Sequence, residues 1–231
     1  MYNTVICIPF RNRQRHLDYF LEHSLPLLVK HMPDVHLVVV EQSDDSKLFN
    51  RGALLNVAIQ EYKDKTVYCM THDVDTNPME ETILNYYRRE VEENAVMGIY
   101  TAECNTLGGT IKFRPATVIE CNGFPSNFWG WGGEDKSLQN RCEYYGKTIT
   151  KNILANDPNR DSFFKIFDDI QDKHKSDELG AFSIVEYGFH NLTKEVQEEY
   201  IHYSGINTLA YKILETKTPS PYVTHILVEL Q

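Results

Sequence analysis

Phe128-Trp129-Gly130-Trp131-Gly132-Gly133-Glu134-Asp135 packs two indoles, three glycines and two adjacent carboxylates into one short stretch. Glycine admits positive φ and lets backbone approach a ligand closely. An indole offers a broad apolar face with one N–H donor, a surface on which a sugar ring can stack. Of two neighbouring acids, one can grip hydroxyls while the other takes a proton. Read only as architecture, the stretch is a glycine-rich turn whose indoles fill the core. Its acids would then open a helix, where the macrodipole favours negative charge. The density of special residues favours a binding and catalytic loop.

A second group with chemical potential is Asp73-Val74-Asp75, at the end of the apolar run TVYCMTH. At strand spacing the two acids point to one side, an arrangement that holds a divalent cation against a diphosphate. The tripeptide is common and usually solvated, so its place in the chain decides its weight. A third group, Arg11-Asn12-Arg13, follows the apolar run TVICIPF, and guanidinium forks suit phosphate oxygens. Its bland alternative is the solvated start of a helix.

The elements needed to position these groups are legible as an alternation. Buried strands are predicted over 4–10, 35–42 and 66–75, separated by helical patterns over 15–31 and from Phe49 to about Tyr62. An amphipathic helix is expected over 79–94, a strand over 97–103, and a turn at Leu107-Gly108-Gly109 leading into another strand. A short helix follows over 115–121, a turn at Asn122 to Pro125, and a helix from Asp135 to Tyr145. Between 152 and 200 only one helix, near 193–201, is legible; the segment from Gly205 to Leu209 leads into a helix or strand pair, and a last strand covers 222–230. Strand–helix alternation predicts an α/β fold with a mostly parallel central sheet flanked by helices, and open sheets of this kind bind ligands at the carboxyl ends of their strands.

The chain has 231 residues, 42% of them hydrophobic, enough for one catalytic domain over 1–231 with a real core. No linker or composition shift marks a clean domain boundary, and two halves meeting at about 110 are expected within the domain. A net charge of −10 argues against a nucleic-acid partner. No run is long and apolar enough for a membrane span, and the N-terminus lacks signal-peptide character. Five cysteines without a paired framework suggest reduced thiols, and a soluble cytoplasmic protein is expected.

Taken together the motifs resemble the β-1,4-galactosyltransferase family, inverting enzymes of GT-A fold that use a UDP-sugar and manganese. The resemblance rests on Pro9-Phe10-Arg11-Asn12-Arg13, Phe49-Asn50-Arg51 with Leu54-Leu55-Asn56-Val57, Asp73-Val74-Asp75, Gly108-Gly109, the run from Asn122 to Asp135, and Ser204 to Leu209. These stand in family order along nearly the whole chain, and the run ending at Asp135 is the specific one. The resemblance implies donor and nucleotide contacts from Pro9, Phe10, Arg11, Arg13, Phe49, Arg51, Asp73, Val74, Asp75, Thr106, Gly108, Gly109 and Trp131. It implies acceptor contacts from Trp131, Gly132, Gly133, Glu134 and Asp135, with Asp135 as general base beside Glu134. Asp75 would be a direct ligand of Mn²⁺ (or Mg²⁺), and the partners would be a UDP-sugar donor and a sugar or glycan acceptor.

The departures are informative. The family's second and third metal ligands are a Met and a His three residues later; here Gln171 takes the Met position and His174 is the candidate, with Asp169 and His190 as substitutes. A third acid after the Glu-Asp pair is replaced by Lys136. The stem, anchor and disulfides of the family have no counterpart, so a viral or bacterial type of enzyme is expected. Thr106 stands where galactose-specific members carry Tyr, which leaves room for a 2-acetamido group on the donor. Two competing readings are a catalytically degenerate sugar- or nucleotide-binding protein of the same fold, and a nucleotide-sugar hydrolase working through the acids of 73–75.

Overall fold

The structure, a computed structural model, describes residues 1–101, 106–130, 132–151, 153–154, 157, 162–166, 186 and 188–231. In chain order the first half runs β1 (Tyr2–Phe10), α1 (Gln14–Tyr19), α2 (Leu25–His31), β2 (Val35–Gln42), α3 (Arg51–Tyr62), β3 (Thr66–Thr71), β4 (Thr76–Pro78), α4 (Glu80–Thr82) and β5 (Ala95–Tyr100). The second half runs β6 (Thr110–Phe113), α5 (Pro115–Glu120), α6 (Glu134–Tyr144), β7 (Thr148–Thr150), β8 (Phe164–Ile166), α7 (Lys194–Tyr203), β9 (Tyr211–Ser220) and β10 (Val223–Leu230).

Among the described residues an 8-stranded sheet has the order β7-β5-β6-β3-β1-β2-β10-β9, and β4 pairs with β8 apart from it. The central run β3-β1-β2-β10 is parallel, as is β7 on β5, whereas β6 runs antiparallel between β3 and β5 and β9 antiparallel on β10. Successive side chains of β1 face opposite layers. Val5 and Cys7 pack with Val38, Val40 and α3, while Ile6, Ile8 and Phe10 pack with Leu37, Val39 and the helices α1 and α2. Burial on both faces explains why these strands read as continuous apolar runs rather than alternating ones.

The helix expected over 15–31 is present from Gln14 to His31 and contains a π-turn at Phe20–Ser24, for which Pro26 supplies the reason, since it has no N–H to give to the preceding turn. Two sequence-based boundaries are corrected. The helix expected over 79–94 stops early: α4 passes into a π-turn at Ile83–Tyr87 and the chain leaves helical form after it. There Lys112 on β6, itself buried, donates to the carbonyls of Tyr87 and Arg89, the acceptors that a continuing helix would need. The strand expected over 66–75 ends at Thr71, and Asp73 to Asp75 form a turn in which the Thr76 amide bonds the Asp73 carbonyl. The C-terminal segment resolves into the strand pair β9–β10.

Pro9 lies inside β1, where a missing N–H would ordinarily damage a ladder. The β1–β3 pairing ends at Cys7 and Thr71, so β3 has already left the ladder where that N–H would point. Among the described residues no helix is long and apolar enough to cross a membrane.

Candidate active site

Where β3 leaves the sheet, the turn 73–75 sends its two acids to different partners. Asp75 accepts from Arg13 Nη1 at 2.6 Å, and Asp73 accepts from Arg51 Nε at 3.0 Å. Strand alternation therefore plays no part in their placement. Val74 between them is buried. His72, fully buried, donates from Nδ1 to the Asp73 carbonyl (2.9 Å) and accepts from the Tyr87 hydroxyl at Nε2 (2.7 Å). Burial pulls its pKa below the usual imidazole value, so it is neutral at pH 7 and fixes the turn from beneath.

Arg51 is where the distant motifs meet. It opens α3, whose N-cap Asn50 accepts from the Ala53 amide through its side chain. Besides Asp73, its guanidinium reaches Asp135 Oδ1 at 2.8 Å, Glu134 Oε1 at 3.5 Å and the Gly109 carbonyl at 3.5 Å. One cation thus links the 73–75 turn, the Gly108-Gly109 turn and the acids that begin α6. Burial opposes the Arg51 charge, but Asp73, Asp135 and Glu134 together hold it above its ordinary pKa. With three carboxylates on one guanidinium the cluster has surplus negative charge. Burial pushes Asp135 up, against Arg51, and the charges of Glu134 and Asp73 push it further, to about 8.

The Gly108-Gly109 turn faces the same acid. A Cβ added to Gly108 would meet Asp135 Oδ2 at 2.5 Å and Thr106 Oγ1 at 3.3 Å. Thr106, expected at the donor sugar, and Asp135, expected as the base, therefore flank one glycine. Gly109 has φ +62° and its carbonyl accepts from Thr71 Oγ1 at 2.8 Å.

The Trp-Gly loop is anchored along its first half. Asn56 of α3 bonds both the amide and the carbonyl of Phe124, at 2.9 and 2.7 Å, and Asn50 Nδ2 donates to the Ser126 carbonyl at 2.8 Å. Ser204 Oγ accepts from the amides of Ser126 and Asn127, and the Gly130 amide donates to the Phe49 carbonyl at 2.9 Å. Gly130, Gly132 and Gly133 have φ of 93°, 100° and 92°, a region that L side chains avoid, so the glycines are required by the backbone path. Phe128 is buried and Trp129 packs against the core with Lys47 over its ring at 5.3 Å. Glu134 and Asp135 fall in the first turn of α6. Trp131 lies outside the described residues.

At the end of β1, the Arg11 guanidinium lies 5.5 Å over the Phe49 ring and donates to the Lys47 carbonyl at 2.8 Å, forming a cationic and aromatic wall. Pro9 and Phe10 are buried in β1, with Phe10 packed beneath α1, so their side chains support this wall rather than line it. For a divalent cation, the described donors are the hard oxygens of Asp75, 19% exposed, and of Asp73. Those oxygens suit Mn²⁺ or Mg²⁺. His174 and Asp169 lie outside the described residues. His190 pairs with Glu143 at 3.0 Å, near the far end of α6 from Asp135.

The family model for the N-terminal region of glycosyl transferase group 7 matches residues 1–89, and that for the N-terminal domain of galactosyltransferase matches residues 93–154. The chain belongs to the β-1,4-galactosyltransferase family. Among family members, mouse β-1,4-galactosyltransferase 1 is 31% identical over 238 residues, covering 99% of this chain and 55% of that protein. Human β-1,4-galactosyltransferase 6 is 32% identical over 241 residues, covering 99% of this chain and 58% of that protein. The chain thus spans about half the length of the curated relatives it matches. The catalytic domain of Drosophila β1,4-galactosyltransferase 7, in complex with xylobiose, superimposes with a TM-score of 0.79 at 23% identity, covering all of this chain and 95% of that one. A mutant of the same enzyme in complex with manganese, UDP-Gal and xylobiose gives a TM-score of 0.78 at 22% identity. The fold is GT-A.

Sequence reasoning missed several residues that shape this family site. Asn50 carried a signal, an Asn directly before an apolar helical run. Asn56 and Ser204 stood within the family motifs but without a role, and Lys47 and Arg141 carried no signal, because a polar residue on a helix or in a loop looks solvated until its partner is known.

Proposed function

We propose that this chain is an inverting glycosyltransferase that moves a hexose of galactose, N-acetylgalactosamine or glucose type from a UDP-sugar to a hydroxyl of an acceptor sugar. The observation that carries the reading is the convergence of Asp135, Arg51 and the Gly108 turn. It sets a carboxylate of raised pKa against the turn assigned to the donor sugar. Asp135 takes the proton of the acceptor hydroxyl as its oxygen attacks the anomeric carbon. The bond from that carbon to the UDP oxygen breaks on the opposite face, so the configuration inverts. Arg51 keeps Asp135 aimed, and Glu134 holds the acceptor's other hydroxyls. Phe49 stacks on uracil, while Arg11 and Arg13 grip the phosphates. Trp131 closes over the donor and limits hydrolysis by excluding water. A divalent cation held by Asp75, with His174 as a further ligand, would offset the charge collecting on the diphosphate.

Family membership supports the reaction class, and the Drosophila relative was solved with manganese, UDP-Gal and xylobiose. The free thiols Cys7, Cys69, Cys121 and Cys142, all buried, support a reducing, cytoplasmic setting. The test is release of UDP from a panel of UDP-sugars, with Mn²⁺ or chelator and with or without acceptor sugars. Metal-dependent release that an acceptor raises is the expected result. UDP binding with no release from any donor would leave the degenerate binding protein as the better reading.

A further inference from the structure

Arg141 lies on α6 between Cys142 and Asn140, six positions beyond Asp135, or about 9 Å along the helix. Its side chain is 1% exposed although α6 is a polar helix. The guanidinium turns inward and spends its donors on neutral oxygens: Nη1 on the carbonyls of Asn122 (3.1 Å) and Gly123 (3.2 Å), Nη2 on the carbonyl of Ser204 (2.6 Å), and Nε on Ser137 Oγ (3.1 Å). Among the described residues no carboxylate lies within ion-pair distance of it. Burial lowers its pKa to about 10, against the pull of Glu186. A buried cation that needs several carbonyls is tolerated only where those carbonyls are held in place.

The acceptors are not arbitrary. Asn122 and Gly123, with φ of 62° and 65°, begin the loop that ends at Glu134 and Asp135. Ser204, the third, receives the amides of Ser126 and Asn127 from the same loop. The segment after it is fitted closely, since a Cβ on Gly205 would meet the Asn122 carbonyl at 2.3 Å. Arg141 therefore joins the entry of the loop to the helix that forms its exit.

We propose that Arg141 is a positioning residue for the acceptor side of the site: by clamping Asn122, Gly123 and Ser204 to α6 it sets where Glu134 and Asp135 stand relative to the Gly108 turn. The kinetic part of this inference rests on the transferase reading. In Arg141→Lys and Arg141→Gln, kcat/KM for the acceptor should fall at least about tenfold, while Mn²⁺-dependent UDP affinity stays within about twofold. Amide exchange over 122–133 should quicken, with β1 to β3 unchanged. Ser204→Ala, which removes only the hydroxyl tie to the loop, should give a smaller change of the same pattern and covers the case in which Arg141→Gln does not fold. A merely structural role predicts a lower melting temperature with loop exchange and kinetics per folded molecule unchanged, and that result would overturn the proposal. Absence of transfer by the wild-type chain would instead remove the transferase reading, with the exchange measurement still deciding the clamp.

Discussion

A methyl group placed on Gly108 would sit 2.5 Å from Asp135 Oδ2 and 3.1 Å from its Cγ. The Gly108-Gly109 turn and Asp135, the proposed general base, are thus in contact across a gap that only hydrogen fills. Gly108→Ala must displace the Asp135 carboxylate, which is the end of a side chain, so folding should change little. Turnover should fall by roughly 100-fold, because a shift of about 1 Å at a reacting group has that scale of effect. Steady-state kinetics beside a melting curve check it; normal turnover would mean that Asp135 need not stay where Arg51 holds it.

As the proposed base, Asp135 should carry the pH dependence. Its carboxyl is raised to about 8 by burial and by its acidic neighbours, and it must be ionised to accept a proton. The acid limb of kcat/KM should therefore lie well above the ordinary carboxylate range, activity rising with pH toward about 8. For stability the sign is opposite. The folded state holds this proton more tightly than the unfolded chain, so Asp135 weakens the fold progressively as pH rises from the ordinary value of 3.8 to about 8. Asp135→Asn should abolish transfer, retain UDP binding, and melt higher than the wild type at pH 8. A lower melting point there would contradict the raised pKa.

The two acids of the 73–75 turn should separate in their effect on the metal. Asp75, beside Arg13 at 2.6 Å, is the direct ligand candidate; Asp73 is engaged by Arg51 at 3.0 Å. Asp75→Asn should weaken Mn²⁺ by more than the roughly 10–100-fold that loss of a supporting partner produces. Asp73→Asn should weaken it less. Mn²⁺ titration followed by electron paramagnetic resonance distinguishes them, and equal losses would remove this division of roles.

The proposed role of Thr106 is at the donor. Its Oγ1 lies 3.3 Å from where a Cβ on Gly108 would stand, so its side chain borders the same turn as Asp135. Thr106→Tyr should fill space there and shift preference from UDP-N-acetylgalactosamine toward UDP-galactose, by about tenfold or more in the ratio of kcat/KM values. An unchanged ratio would sink the assignment.

Much of this was legible from residue order alone. The strands expected over 35–42 and 222–230 and the helices expected from Phe49 to about Tyr62 and from Asp135 to Tyr145 correspond to Val35–Gln42, Val223–Leu230, Arg51–Tyr62 and Glu134–Tyr144, because apolar period, capping and glycine chemistry are local properties. The loop glycines also carried a signal, since Gly130, Gly132 and Gly133 adopt a positive φ that glycine takes without strain. What local pattern could not supply was partnership. That Arg51 would serve Asp73, Glu134 and Asp135 at once, that Lys112 would end a helix by taking the Tyr87 and Arg89 carbonyls, and that Arg141 would be buried on three more, are contacts between residues far apart in the chain. Residue types and spacing determined which strands and helices form and which side chains could do chemistry. Tertiary structure alone decided which charges meet, because the energy of a buried charge depends on the oxygens brought to it and not on its neighbours in sequence.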